Sequence, residues 1–324
     1  MTNVLLFPAR NANLVRGVAG LPGIAVSPAN TLDELRQGLA SADVLLTSNR
    51  VYEAEAARII RDLGRRLRWI QFTTSGIDKA IANGLPEGIP VTNAAGFHAR
   101  RVAEHATMLL LSVARRQFET AAARLRQEWI RDDVAPRVMS LERRTLVIVG
   151  LGAIGQQVAR KAKAFDMRVI GISRETAPLE HFDDVRPRVE LLRSLAEADA
   201  LVLTASYDAS THHIIDARAI AAMKPAAVLV NVARGLLIDE AAMIEALKAN
   251  RLAAAGLDVM QTEPLPAGHV LWTLPNVIVT PHIAGAGGDS TDAIVEIFSG
   301  NYARFVAGQP LAKLVYGPST ARAQ

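Results

Sequence analysis

Strand-length apolar runs alternate with helix-length amphipathic segments, and this alternation constrains the fold more than any other feature. In the first hundred residues, apolar runs at 4–7, 44–47 and 67–73 are separated by helical patterns around 31–40 and 53–63. Uninterrupted apolar runs are typical of strands that crossover helices bury on both faces. The pattern therefore predicts an α/β fold with parallel sheets.

A second strand series follows a strongly helical stretch at 99–114. Helical segments separate its members, which are residues 145–149, 168–172, 200–204, 227–231, 254–258 and 277–280. At about 150 residues per domain, a chain of 324 residues is expected to form two domains. We predict one domain from residues 1–97 plus 286–324 and another from 98–285, because a short helical tail suits a return to the first domain.

Composition removes several classes of function. The chain has no cysteine, so it has no disulfide framework, thiolate nucleophile or cysteine-ligated metal. Its net charge of +4 is small for 324 residues and does not indicate a nucleic-acid partner. The densest basic stretch is interrupted by apolar residues at helical spacing, which predicts a solvated helix face bearing Arg58, Arg61, Arg65, Arg66 and Arg68.

No membrane or export segment is predicted. The apolar run at 106–114 is far shorter than the ~20 residues needed to span a bilayer, and the N-terminus lacks a basic region followed by an apolar one. We expect a cytoplasmic protein with no membrane partner.

A glycine triplet, Gly150, Gly152 and Gly155, lies between the apolar run 146–149 and a helical pattern at 156–164. This strand, turn and helix arrangement is typical of a dinucleotide-binding turn, in which the glycines allow a tight turn and close backbone approach to a pyrophosphate. The N-terminus of the following helix favours the bound anion, and Ala153 and Ile154 in the turn are also expected to contact the cofactor. The 98–285 domain is therefore predicted to be a Rossmann-type cofactor domain.

The residues after the next strand indicate whether the nicotinamide cofactor is NADP(H) or NAD(H). An acid there would bind the ribose 2′-OH, whereas an arginine would accommodate a 2′-phosphate. Ser173 and Arg174 stand at this strand end, so we predict NADP(H) over NAD(H). Glu175 follows directly and keeps NAD(H) possible, because a shift of one residue would bring an acid to the ribose.

Three polar residues follow three strands of the second series. They are Arg234 after 227–231, Glu263 after 254–258 and His282 after 277–280. Ligands of open α/β sheets bind at the carboxyl ends of the strands, so we expect these side chains to converge there.

With these residues in place, the chain resembles the D-isomer-specific 2-hydroxyacid dehydrogenases. The resemblance covers nearly the whole chain and rests on residues 75–78, 91–96, 102–105, 150–155, 223–225, 231–235, 263–266 and 274–285. It implies two doubly wound parallel-sheet domains, the Rossmann-type domain and a flavodoxin-like substrate domain, with a cleft between them. It also implies an NAD(P)-dependent reductase of small 2-oxo acids such as glyoxylate or hydroxypyruvate.

The resemblance further implies roles for individual residues. Arg234 would bind and polarise the 2-oxo acid, His282 would be the acid/base and Glu263 would pair with His282. Backbone N–H groups at Ser75 and Gly76 would hold the substrate carboxylate. Further cofactor contacts are expected, beyond the glycine turn and the strand end after it, from Ser206, Val232, Ala233, Asp258, His282 and Gly285.

Other possibilities remain open at this point. Residues 205–208, Ala-Ser-Tyr-Asp, depart from the family's usual Leu-Pro-Leu-Thr, which leaves contacts in this segment unsettled and makes Asp208 an unexpected charge. Adjacent His212 and His213 lack a usual chelating spacing, so no metal is predicted. Relatives of this fold act as nucleotide-sensing corepressors, which is the alternative function; oxidation of formate or phosphite is less favoured. A homodimer through the cofactor domain is the expected assembly.

Overall fold

The computed structural model describes residues 1–287 and 290–319. The chain forms two compact units. One contains Met1–Phe97 and the segment that begins at Gly287, and the other contains His98–Ala286. The predicted loop around 285–290 includes Gly288 and Asp289, which lie outside the described residues.

The N-terminal part of the first unit alternates strands and helices. Its strands are β1 (Thr2–Phe7), β2 (Ile24–Pro28), β3 (Val44–Thr47), β4 (Trp69–Phe72) and β5 (Val91–Thr92). Its helices are α1 (Ala12–Ala19), α2 (Leu32–Leu39), α3 (Ala54–Leu63) and α4 (Asp78–Asn83). Helix α2 begins at a capping box, in which Thr31 and Glu34 satisfy each other's backbone N–H groups.

The second unit contains a longer series of the same kind. Its helices are α5 (Ala99–Ala114), α6 (Gln117–Arg126), α7 (Arg131–Val134), α8 (Ala153–Lys163), α9 (Leu191–Glu197), α10 (Ala217–Ala222) and α11 (Glu240–Lys248). Its strands are β6 (Thr145–Val149), β7 (Arg168–Ser173), β8 (Asp184–Pro187), β9 (Ala200–Leu203), β10 (Val228–Asn231), β11 (Ala254–Leu257) and β12 (Val277–Val279).

The chain then returns to the first unit through α12 (Thr291–Val306) and β13 (Leu314–Tyr316). Helix α12 packs Phe298 on the indole of Trp69 in β4, with ring centroids 5.1 Å apart. Trp69 is completely buried. The tail therefore closes one face of the first sheet, since burying aromatic side chains of this size is strongly favourable.

Each unit is organised around one sheet. The strand order is β13-β5-β4-β3-β1-β2 in the first unit and β12-β11-β10-β9-β6-β7-β8 in the second. The predicted α/β fold with two doubly wound sheets is confirmed. Strand β13 is an exception to the parallel pairing, because it pairs antiparallel with β5.

Other differences lie at the ends of elements. Helix α8 begins at Ala153 rather than at 156, so Gly155 lies inside its first turn. Helix α3 ends at Leu63, so the predicted solvated helix face does not include Arg65, Arg66 or Arg68. Within the described ranges, no helix has the length and apolar character needed to cross a membrane.

Candidate active site

The three predicted catalytic residues follow three adjacent strands of the second unit's sheet. Strands β10, β11 and β12 are parallel neighbours, with Val230 paired to Gly256 and Gly256 paired to Ile278. The loops after these strands contain Arg234, Glu263 and His282. The three loops therefore lie side by side at the carboxyl end of the sheet, as the sequence analysis predicts.

The turn after β10 is built by a buried amide. Asn231 is fully buried, and its Oδ1 accepts the N–H of Ala233 at 3.0 Å while its Nδ2 donates to the carbonyl of Arg234 at 2.9 Å. A Cβ on Gly235 would lie 2.0 Å from the backbone of Met260. Only glycine allows the Arg234 turn to approach the loop after β11 this closely. Sequence reasoning placed Asn231 in a motif but gave it no role.

Glu263 and His282 form the closest contact between two of these loops. Glu263 Oε2 lies 2.6 Å from His282 Nδ1, and Glu263 Oε1 accepts the N–H of Met260 at 3.1 Å. The two side chains are 33% and 48% exposed, so the pair is open on one side. His282 has a left-handed backbone, with φ of 53°. With Nδ1 occupied, Nε2 is the ring nitrogen that remains for another partner.

Burial raises the pKa of Glu263, but other effects outweigh it. The hydrogen bond from His282, the positive charges of His282 and Arg234, and the N–H of Met260 together hold the pKa of this carboxyl below its usual value. The charge of Arg234 thus acts on the same carboxylate that contacts His282. At neutral pH, Glu263 is therefore ionised and places a negative charge beside His282 Nδ1.

A second carboxylate, Asp258, anchors the loop around His282. Its side chain is 1% exposed and accepts the N–H groups of Ile283 at 2.9 Å and Ala284 at 2.8 Å, which follow His282 directly. The Thr280 hydroxyl donates to Asp258 Oδ1 at 2.6 Å, and His105 Nε2 lies 2.9 Å from that hydroxyl oxygen. Asp258 was predicted to contact a cofactor; here its carboxylate is engaged within the loop.

The glycine turn fits a dinucleotide phosphate. Gly150 has φ of 98°, and a Cβ there would lie 2.4 Å from the backbone of Ala205; a Cβ on Gly155 would lie 2.2 Å from the Gly150 carbonyl oxygen. Gly152 differs, because no described atom apart from those of Gly152 and its two chain neighbours lies within 4 Å of its Cβ position. It precedes α8, whose N-terminus has no side-chain cap among the described residues. The turn therefore leaves space and uncapped N–H groups where a pyrophosphate would bind.

Ser173 and Arg174 lie at the carboxyl end of β7, beside this turn. The Arg174 guanidinium pairs with Asp208 Oδ2 at 2.5 Å and donates to Ser210 Oγ at 3.4 Å. Arg188, after the neighbouring strand β8, donates to the same Ser210 oxygen at 2.9 Å. Sequence reasoning missed Arg188 because no local motif marks it.

The residues predicted to bind the substrate carboxylate, Ser75 and Gly76, belong to the first unit. Ser75 and Gly76 lie in the half-buried loop after β4, where Ser75 Oγ donates to the Ala94 carbonyl at 3.1 Å. The carbonyls of Ser75 and Gly76 accept from Asn93 at 2.6 Å and Thr74 at 2.9 Å. Their backbone N–H groups have no partner in residues 1–287 and 290–319. Two adjacent donors of this kind suit an anion.

The other residues predicted to contact the cofactor differ in how exposed they are. Val232 and Ala233 are buried in the core, and Ser206 is exposed, with its carbonyl accepting from Thr211 at 3.0 Å. The backbone of Gly285 lies close to the His98 ring.

His212 and His213 stack on each other, with centroids 3.9 Å apart. In the described part of the chain, no group of three or more His, Asp or Glu side chains could hold a metal ion.

Comparison with known proteins agrees with this geometry. Residues 107–284 match the model of the D-isomer specific 2-hydroxyacid dehydrogenase, NAD binding domain. The glyoxylate reductase of Thermococcus gammatolerans is 35% identical over 78% of this chain and 78% of its own.

Two solved structures are also similar. A D-isomer specific 2-hydroxyacid dehydrogenase family protein from Aeromonas salmonicida is 32% identical, covering 97% of this chain and 99% of its own, with a TM-score of 0.85. An NADPH-dependent glyoxylate/hydroxypyruvate reductase from Sinorhizobium meliloti, in complex with NADP and sulfate, is 25% identical over 97% and 98% of the two chains, with a TM-score of 0.82. This chain belongs to the D-isomer specific 2-hydroxyacid dehydrogenase family and is an oxidoreductase that acts on CH–OH groups.

Proposed function

We propose that the protein reduces a small 2-oxo acid, with glyoxylate and hydroxypyruvate as the first candidates, to the corresponding 2-hydroxy acid. The observation that supports this most directly is the 2.6 Å contact between Glu263 and His282, with the charge of Arg234 acting on the same carboxylate. A proton donor and a cation at one sheet edge are what carbonyl reduction requires. The similarity to the glyoxylate reductase of Thermococcus gammatolerans and to the glyoxylate/hydroxypyruvate reductase of Sinorhizobium meliloti supports the choice of substrates.

Each residue then has a defined task. Arg234 binds the 2-oxo acid and draws electron density toward the C2 oxygen. His282 Nε2 gives its proton to that oxygen, while Nδ1 stays hydrogen-bonded to Glu263. In the oxidative direction, neutral His282 takes the hydroxyl proton at Nε2. The nicotinamide cofactor, when bound, supplies or accepts the hydride at C2.

In the other unit, the N–H groups of Ser75 and Gly76 are proposed to bind a substrate carboxylate oxygen. Two observations support this assignment. Neither N–H group has a hydrogen-bond partner among the described residues, and the loop is half-buried. Because the loop already holds these N–H groups in position, less entropy is lost when they orient the substrate.

The cofactor is proposed to be NADP(H) in preference to NAD(H). Ser173 and Arg174 at the end of β7 support this choice, since an arginine pairs with a 2′-phosphate in a bidentate manner. The glycine turn would hold the pyrophosphate, with Val232, Ala233, Asp258 and Gly285 assigned to further cofactor contacts.

Turnover tests the proposal directly. NADPH and NADH oxidation should be followed in parallel with glyoxylate, hydroxypyruvate, pyruvate, phenylpyruvate and phosphohydroxypyruvate. We expect NADPH-dependent turnover of a small 2-oxo acid, and a roughly 10²-fold or greater loss of kcat/KM in Arg234→Gln. Arg218→Gln, at an exposed position on α10, is the matched control. Cofactor binding without turnover of any of the acids would support the nucleotide-sensing alternative instead.

The glycine turn has its own test. Gly152→Ala places a methyl group in open space, so we expect unchanged folding stability but about tenfold weaker NADPH binding. Gly150→Ala is the contrasting variant, because its methyl group would overlap the backbone of Ala205 and destabilise the fold. Undiminished NADPH affinity in Gly152→Ala would contradict the assigned phosphate position.

A homodimer through the second unit is also proposed. Trp129 and Leu125 are 91% and 79% exposed, and Trp129 borders a groove with Ile130 and Val134. Large exposed apolar side chains in one region are typical of a protein interface. Sedimentation should show a dimer that Trp129→Asp weakens, whereas Ile81→Asp in the other unit leaves it intact. A monomeric wild-type protein would overturn this assignment.

A further inference from the structure

The end of β7 contains two arginines rather than the one expected. Strands β7 and β8 are parallel neighbours with Ser173 paired to Pro187, so Arg174 and Arg188 occupy equivalent positions just beyond the two strands. Adjacent parallel strands lie about 4.8 Å apart, within reach of one bound anion for both guanidinium groups. The shared contact of both arginines with Ser210 Oγ, at 3.4 and 2.9 Å, shows that the side chains turn toward one point.

A carboxylate of the chain already occupies this point. Asp208 pairs with Arg174, and its Oδ1 accepts from the N–H of Ser210 at 2.8 Å and from the Ser210 hydroxyl at 2.5 Å. The Ser210 hydroxyl is the main reason that the pKa of Asp208 lies below its usual value; burial opposes it, and Arg174 adds to it. Asp208 is therefore ionised at neutral pH.

The loop that contains Asp208 is fixed to the cofactor turn. Thr204 Oγ1 donates to the Gly150 carbonyl at 2.6 Å, and the backbone of Ala205 lies against Gly150. Thr211, which is completely buried, accepts the N–H of Asp208 at 2.7 Å. These contacts hold the carboxylate beside the proposed adenosine end of the cofactor, although its side chain is 43% exposed.

We propose that Arg174 and Arg188 together form the site for the 2′-phosphate of NADP(H), and that Asp208 is an internal anion that this phosphate must displace. The inference rests on the proposed nicotinamide cofactor and deepens it. Asp208 competes with the 2′-phosphate for Arg174 and repels it, so it reduces the preference for NADP(H) over NAD(H). The unusual residue in the 205–208 segment thereby sets cofactor selectivity.

Two nucleotide fragments test this without relying on turnover. Calorimetric titration of the full chain with adenosine 2′,5′-bisphosphate and with 5′-AMP separates the 2′-phosphate from the rest of the adenosine. We expect Asp208→Asn to tighten the bisphosphate several-fold and Arg188→Gln to weaken it on the order of tenfold, with 5′-AMP unchanged in both. NADPH and NADH titrations should change in the same pattern.

Two matched control variants remove a charge of the same sign at positions away from the proposed phosphate site. Asp132→Asn acts at an exposed position on α7, and Arg168→Gln acts at the opposite end of β7 from Arg174. Both should leave the two affinities unchanged, and circular dichroism should confirm that all variants are folded.

The outcomes separate this inference from the function on which it rests. If Asp208→Asn leaves the bisphosphate affinity unchanged or weakens it, the competing role of Asp208 is wrong. If Arg188→Gln has no effect, the two-arginine site is wrong, while 5′-AMP binding would leave the proposed cofactor intact. If the wild-type chain binds neither fragment, both the site and the proposed cofactor are overturned.

Discussion

Two loops of the second unit each place an aspartate near the carboxyl end of the same sheet, but they hold it in opposite ways. Asp258, after β11, is 1% exposed and accepts two backbone N–H groups and the Thr280 hydroxyl. Asp208, after β9, is 43% exposed and forms its ion pair with a side chain that is itself 64% exposed.

The difference indicates separate tasks for the two loops. A buried carboxylate with several fixed donors cannot leave without exposing unsatisfied groups, so it fixes the geometry around His282. An exposed ion pair contributes little to stability, so a ligand can displace it at small cost. We therefore expect changes in the His282 loop to affect turnover and folding, and changes in the Asp208 loop to affect selectivity.

The largest effect should come from His282 itself. His282→Asn removes the proton donor, and we expect kcat to fall 10²- to 10⁴-fold. Asparagine tolerates the left-handed backbone at this position better than most residues, so the free energy of unfolding should change by less than about 1 kcal/mol. Steady-state kinetics and urea unfolding measure the two quantities. A kcat within threefold of wild type would exclude His282 as the acid/base.

The next effect concerns the buried aspartate. Asp258→Asn replaces one carboxylate oxygen by an amide that faces an N–H or hydroxyl donor. We expect the free energy of unfolding to fall by about 1–3 kcal/mol, because at least one buried donor loses its acceptor. Urea unfolding measures this loss. An unchanged free energy would show that the loop does not depend on this network.

Glu263 should give a smaller, pH-dependent effect. Because its pKa is depressed in the folded protein, its ionisation stabilises the fold above the ordinary carboxyl pKa of 4.5, and this contribution is lost as the pH falls through the depressed value. Glu263→Gln lacks the contribution, so it should be less stable than wild type by about 1 kcal/mol at pH 7. Thermal unfolding at a series of pH values should show the gap closing below pH 4.5. A gap that widens in acid would contradict the sign.

The smallest effect on the free energy of unfolding is expected at Asp208. Asp208→Asn is the same chemical change as Asp258→Asn, made at an exposed ion pair. We expect the free energy of unfolding to change by less than about 0.5 kcal/mol. The same urea titration measures it. If the two aspartates had equal effects on stability, the contrast between a fixed and a displaceable carboxylate would be lost.

The apolar pattern predicts most of the fully buried strands and misses most of the partly exposed ones. Helix α5 and strands β3 and β6 have the predicted bounds, because both strands are buried along their whole length and the buried residues of α5 recur at helical spacing. The pattern misses β2, β8 and β13 at the sheet edges and the two-residue strand β5, whereas it predicts the edge strand β12. Edge strands are short and partly polar, so tertiary pairing rather than periodicity defines them.

In the candidate site, too, local features could be predicted from the sequence, whereas contacts between loops could not. The glycine turn and the residues after β10, β11 and β12 are visible because each is a local feature attached to an apolar run. The Ser210 and Arg188 contacts are not, since they join loops whose proximity depends on strand order. A carboxylate such as Asp258 likewise has no local mark that shows which backbone N–H groups of a distant loop it will accept.

The sequence by itself determined the α/β class, the two sheets, the dinucleotide turn and the residue types at the strand ends. These follow from hydrophobic periodicity and from the steric freedom of glycine, which act over a few neighbouring residues. The tertiary structure alone decided which charges meet. Arg174 and Asp208 are 34 residues apart, and Asp258 contacts the N–H of Ile283 from 25 residues away. Such contacts form only after strand order and register place separate loops together, because hydrogen bonds and ion pairs depend on distances of a few ångströms.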